Sequence, residues 1–138
     1  MTDWLVDDVL APNTGGALEP LYAAAARGEL VVPFCAACSA PLELEQVRCD
    51  ACGSIDTAWR VVEPHGTVHS VTTVHRLEPG LIVATVPYHV VDVELISGHR
   101  LLMSTSRPTD RSPAIGDRAD ITFRRIAGVA VPALEVSP

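Results

Sequence analysis

Alternation of apolar and polar positions dominates the second half of the chain, and it predicts strands. Thr67 to Arg76 is rich in Val and Thr, with Val68, Thr72 and Val74 on one face and His69, Val71, Thr73 and His75 on the other. Pro87 to Ile96 is a stronger run, and Ser97-Gly98 turns it into Arg100–Ser106 as a hairpin. Two more strands are expected around Ala119–Arg125 and Val129–Val136, joined at Ala127-Gly128. Trp59–Glu63 reads as a short strand and Leu81–Thr85 as a strand or extended loop. Five main strands with turn signals between them, and no long helix, fit a small closed or partly open barrel.

The first half has a different texture. Trp4-Leu5-Val6 and Val9-Leu10 suggest a helical turn or two, followed by a flexible Pro12–Gly16 link. Leu18 to Gly28 holds an alanine run with Pro20 in the first turn and Gly28 as a stop, which predicts a helix. Glu29 to Phe34 then leads, extended, into a pair of cysteines.

Composition narrows the chemistry. The 138 residues carry a net charge of −7 and are 48% hydrophobic, without an apolar run long enough to span a bilayer. All ten basic residues are arginine, so neither a lysine Schiff base nor a P-loop lysine can come from this chain. Acidic charge and 4% aromatic content also disfavour a nucleic-acid-binding module, the alternative that a metal ribbon joined to a barrel raises.

The four cysteines form two Cys-x-x-Cys pairs, Cys35/Cys38 and Cys49/Cys52. Four thiolates from two tight turns suit one tetrahedral ion, and the spacing predicts a structural zinc ribbon. Iron in a rubredoxin-like site uses the same ligands and stays open. Two disulfides fit less well, because the N-terminus shows no secretory pattern and a reducing cytoplasm is the expected compartment. Gly53 follows the second pair where a positive φ is useful; Ser39 holds the matching place in the first.

No catalytic set emerges from the remaining residues. His69 and His75 sit six residues apart on one expected strand face, about 20 Å, too far to share a metal. Ser104 and Ser106 lack a strained nucleophile elbow, and Asp92 and Glu94 read as solvated edge residues. The apolar residues Trp4, Leu5, Val9, Leu21 and Tyr22 either cover the barrel or meet a partner.

Several of these segments together resemble the domain-of-unknown-function family 35. The helix ending at Gly28-Glu29-Leu30, the four-cysteine ribbon, Gly66-Thr67-Val68 and Thr72–Arg76 carry the likeness. Pro87-Tyr88, Val93–Leu95, Gly98 with Leu101-Leu102, and Ile115–Asp117 with Ile121–Phe123 extend it over about residues 18–136. The chain departs from the family pattern at Leu44–Arg48 and at His65.

The resemblance implies an N-terminal helical segment (residues 1–32), a rubredoxin-like zinc ribbon (33–58) and a C-terminal five-stranded OB-fold barrel (59–138). Family members accompany thiolase-like enzymes that handle acyl-CoA. One archaeal member bridges a thiolase and a hydroxymethylglutaryl-CoA synthase; an actinobacterial one completes a steroid side-chain aldolase with a thiolase-like lipid-transfer protein. By resemblance, this chain is expected to be a non-catalytic subunit of such an aldolase or thiolase complex, with the catalytic residues in its partner. His75 and Arg76 are the candidate contacts to substrate or CoA, and no nucleic-acid or membrane partner is expected.

Overall fold

A computed structural model describes residues 2–137. Helix α1 spans Glu19–Ala25, with Pro20 in its first turn and Leu21, Ala24 and Ala25 buried. Its exit is a Schellman turn: Glu29 N–H donates to Ala24 O (3.0 Å) and Gly28 N–H to Ala25 O (2.9 Å). Gly28 takes the φ of +78° that this turn requires. Before α1, the expected helical turn is a short 3-10 turn at Asp8–Leu10. No helix among the described residues is long and apolar enough to cross a membrane.

Strand β1 (Val31–Cys35) pairs antiparallel with β2 (Thr57–Val61), with Pro33 opposite Trp59, and this two-stranded sheet carries the cysteine loops. The other five strands are β3 (His65–Val74), β4 (Tyr88–Leu95), β5 (Arg100–Ser104), β6 (Arg118–Ile126) and β7 (Val129–Leu134). Their order is β5-β4-β3-β6-β7, all antiparallel neighbours. A parallel bridge between Thr105 and Leu134 brings the two edges together, so the sheet is a nearly closed barrel. Its core is Val68, Val91, Val93, Leu95, Leu101, Met103, Ala119, Ile121 and Leu134, and Leu30 and Val32 enter it from the ribbon side.

Some of the predicted faces shift. A bulge between Val68 and Ser70 breaks the alternation of β3. Val68 pairs with Val93 and Val71 with Val91, so Val71 and Thr73, not Thr72 and Val74, share the inner register of Val68. Asp92 is no edge residue: β4 lies between β3 and β5, and Asp92 is half-buried and ion-paired to Arg100. Leu81–Thr85 forms a single bridge, Ile82 with Val6, and no strand.

Gly66 is required by proximity. A Cβ there would sit 2.7 Å from Leu95 Cα and closer still to the Glu94 carbonyl oxygen, so β3 can approach β4 only with no side chain at this position.

The N-terminal segment is a strap across the barrel. Leu5 is buried, Val83 N–H donates to Leu5 O (2.8 Å) and Asp7 N–H to Leu81 O (2.8 Å). Trp4 Nε1 donates to Thr105 O (3.0 Å), and the Asp3 carboxylate pairs with Arg124. Trp4 and Leu5 thus cover the barrel, while Val9 is 69% exposed.

Candidate metal centre and barrel-end cavity

Two matching turns build the cysteine cluster. In the first, Ser39 N–H donates to Cys35 O (2.8 Å); in the second, Gly53 N–H donates to Cys49 O (2.9 Å). Both residues following the pairs adopt positive φ, +65° at Ser39 and +79° at Gly53. The sequence signal at Gly53 therefore extends to Ser39, where the turn imposes the conformation on a less suited residue. Cys35 and Cys49 are buried, whereas Cys38 and Cys52 are exposed.

All four sulfurs lie within 4.8 Å of one another, with Cys35 Sγ to Cys52 Sγ at 3.5 Å and Cys38 Sγ to Cys49 Sγ at 3.7 Å. A tetrahedron with metal–sulfur bonds of ~2.3 Å has sulfur–sulfur edges of about 3.8 Å. The donor set thus fits one tetrahedral metal ion, and the cluster could hold one.

The electrostatics agree with that fit. The amide of Cys38, with a smaller contribution from Ala37, stabilises the Cys35 thiolate and lowers its pKa to about 6. The Ser54 amide favours a thiolate at Cys52, but the Cys35 and Cys38 sulfurs outweigh it and push Cys52 up to about 12. Cys38 is also raised: the Ala40 amide acts in the opposite sense, and the Cys49 sulfur and burial prevail. Without a cation, close sulfurs resist sharing several negative charges. Binding a divalent metal at pH 7 is therefore expected to release protons, those of Cys38 and Cys52 among them, read by a pH indicator in weakly buffered solution. Metal uptake without proton release would contradict it.

The other sequence candidates are dispersed. His75 and Arg76 follow β3 and are exposed, and Arg76 Nη2 lies 2.6 Å from Glu78 Oε2. His69 Nδ1 is 3.7 Å from Glu94 Oε2 on the outer surface. Ser104 is buried, and Ser106 Oγ accepts from Val136 N–H (3.2 Å), far from any nucleophile role.

Two histidines without a sequence motif prove to be the buried ones. His99 Nε2 must donate to Pro33 O (2.7 Å), leaving Nδ1 to accept from Ser97 (2.8 Å), and its ring packs edge-on to Phe34. The contact ties the β4–β5 hairpin to the ribbon. The Pro33 carbonyl also accepts from Leu42 N–H (3.0 Å). His99→Phe therefore removes one of its two hydrogen bonds and should cost about 0.5–1.5 kcal/mol in a urea melt; an unchanged midpoint would contradict it.

His89 is the other, and it lies at a barrel end where a cavity of about 1000 Å³ opens. The regular alternation of β4 puts His89 on its buried face with Val91, Val93 and Leu95, and the register beyond the β3 bulge puts Thr73 beside it.

Comparisons place these features among known proteins. The family described as "ChsH2, C-terminal OB-fold domain" matches residues 59–124. No curated protein sequence matches. The chain is similar to a solved structure described as an "Ltp2-ChsH2(DUF35) aldolase", at 25% identity and a TM-score of 0.76 over 90% of this chain and 97% of that one.

Proposed function

The chain belongs to the domain-of-unknown-function family 35, with a ChsH2-type OB-fold barrel, and from that premise we propose that it is the accessory subunit of an aldolase complex. The observation that carries this reading is the near full-length likeness to a chain of the Ltp2-ChsH2 aldolase. The partner is a thiolase-like or lipid-transfer-type protein, and the substrate a β-hydroxyacyl-CoA, such as a steroid side-chain thioester.

In that reaction a base in the partner removes the β-hydroxyl proton. The oxygen electrons form the ketone carbonyl as the Cα–Cβ bond breaks, and the thioester enolate takes up a proton to give the shorter acyl-CoA. The absence of lysine means that no Schiff base can start from this chain. Its own contribution is binding and assembly. Cys35, Cys38, Cys49 and Cys52 would hold zinc, whose four-thiolate shell leaves no position for water and so supplies a cross-link. His75 and Arg76 stand exposed for contact with CoA, with the surface Arg76–Glu78 pair weak enough to be exchanged for a phosphate.

Co-expression with a thiolase-like protein encoded beside it tests the reading. The two chains should co-elute on sizing, and acyl-CoA cleavage should require both. In the same assay Arg76→Ala should raise KM several-fold with kcat retained. A partner that is soluble, active and indifferent to this chain would refute the proposal.

A further inference from the structure

The inner face of β4 reads His89, Val91, Val93, Leu95, and all four are buried. Three are apolar core; the fourth, at the cavity end, is a histidine only 7% exposed. Its Nδ1 is paired with Thr73 Oγ1 at 3.1 Å, and its Nε2 has no partner among the described residues. Arg124 Nε is the one fully buried side-chain nitrogen or oxygen there without a hydrogen bond. His89 Nε2 is therefore not sealed in protein; it opens onto the cavity that the ring lines.

The rest of the wall defines what could meet that nitrogen. Val68, Leu134, Pro87, Pro108 and Pro113 make much of it apolar. Charges at the cavity are mixed: Asp110, Asp117 and Glu135 against Arg111 and Arg118. Arg118 is already paired to Asp120 (3.0 Å), so acidic groups prevail and an anionic ligand finds no favourable field. At about 1000 Å³ the space is at the upper end of small-molecule sites. Its apolar patch of valine, leucine and proline side chains is interleaved with hydroxyl and charged groups such as Thr109 and Ser112.

We propose that this barrel-end cavity binds an uncharged, largely apolar molecule bearing one carbonyl or hydroxyl oxygen, held by a hydrogen bond to His89. The Thr73 hydroxyl can donate to or accept from Nδ1, so Nε2 can serve either oxygen. The site lies wholly within this chain and does not depend on a partner subunit.

Titration of the isotope-labelled full chain with camphor, followed by NMR, tests it. Camphor should shift the His89 ring nitrogens and the Thr73 and Leu134 amides saturably. Adamantane carboxylate, a similar cage bearing a negative charge, should bind more weakly. His89→Phe keeps an apolar ring but removes the hydrogen bond, and should weaken camphor binding about 3- to 10-fold. Absence of saturable shifts at these residues, equal affinity in His89→Phe, or tighter binding of the carboxylate would each overturn the proposal. If His89→Phe does not fold, the wild-type Nε2 resonance decides: movement with camphor supports the site, and an unmoved resonance refutes it.

Discussion

Cys49→Ser is expected to strip the metal from the ribbon and unravel it, while the barrel strands stay paired. The ribbon has little else to hold it. Its buried apolar cluster is Cys35, Leu42 and Cys49 with Ala40 against them, and its sheet has two strands. A two-stranded hairpin with so small a core is marginal in water, and structural zinc can contribute on the order of 10 kcal/mol to so small a unit. Serine preserves the size of the side chain but offers no thiolate, so the tetrahedral shell opens. Damage should not stop at the ribbon, because Leu30 and Val32 enter the barrel core and Pro33 receives the His99 hydrogen bond. We expect a global stability loss of about 3 kcal/mol or more. Metal analysis should fall from one ion per chain towards none. Amide exchange should lose protection over Val31–Cys35 and keep it at Val91 and Val93. A metal-free variant with wild-type protection and unfolding midpoint would show that the cluster is not what holds the ribbon. Loss of metal with retention of the partner complex would separate the ribbon from the interface.

The elements most legible in the sequence are those specified by local chemistry. The alanine run bounded by Pro20 and Gly28 marks α1, Ala127-Gly128 marks the β6–β7 turn, and cysteine spacing marks the metal cluster. Ala127 even takes the positive φ (+50°) that this two-residue turn demands. What escaped depends on contacts between distant segments or on a single inserted residue. The bulge after Val68 leaves no residue-type signature, yet it decides which of Thr72 and Thr73 faces inward and hence what stands beside His89. Asp92 looks solvated because its partner, Arg100, lies across a hairpin. The apolar leader was legible as a surface seeking cover. Where it docks was not, since its anchor lies 121 residues away.

Asp3→Ala is expected to release that leader, at a cost of about 3–5 kcal/mol. The Asp3 side chain is 2% exposed and that of Arg124 is 12%, so both charges have left water. Burial pulls the Arg124 pKa down, and the Asp3 carboxylate opposes it. Arg124 Nε already lacks a partner, and the guanidinium borders an apolar cavity of about 250 Å³ walled by Leu21, Tyr22 and Met103. Without Asp3, the cation there keeps its desolvation cost and loses its counter-charge. Asp3 also accepts hydrogen bonds from Leu5 N–H (3.2 Å) and Val6 N–H (3.0 Å), so the strap's own turn loosens with it. Trp4 is bonded to Thr105 beside the bridge that joins the barrel edges, which makes the strap a latch on the seam. Urea melts followed by tryptophan emission, in a Trp59→Phe background so that Trp4 alone reports, should show a lower midpoint and a red-shifted native baseline. Adding Arg124→Met should restore much of the lost stability, because an apolar side chain suits the cavity that the unpaired cation does not. If Asp3→Ala costs less than about 1 kcal/mol, or the double variant is no better than the single, the ion pair does not hold the latch.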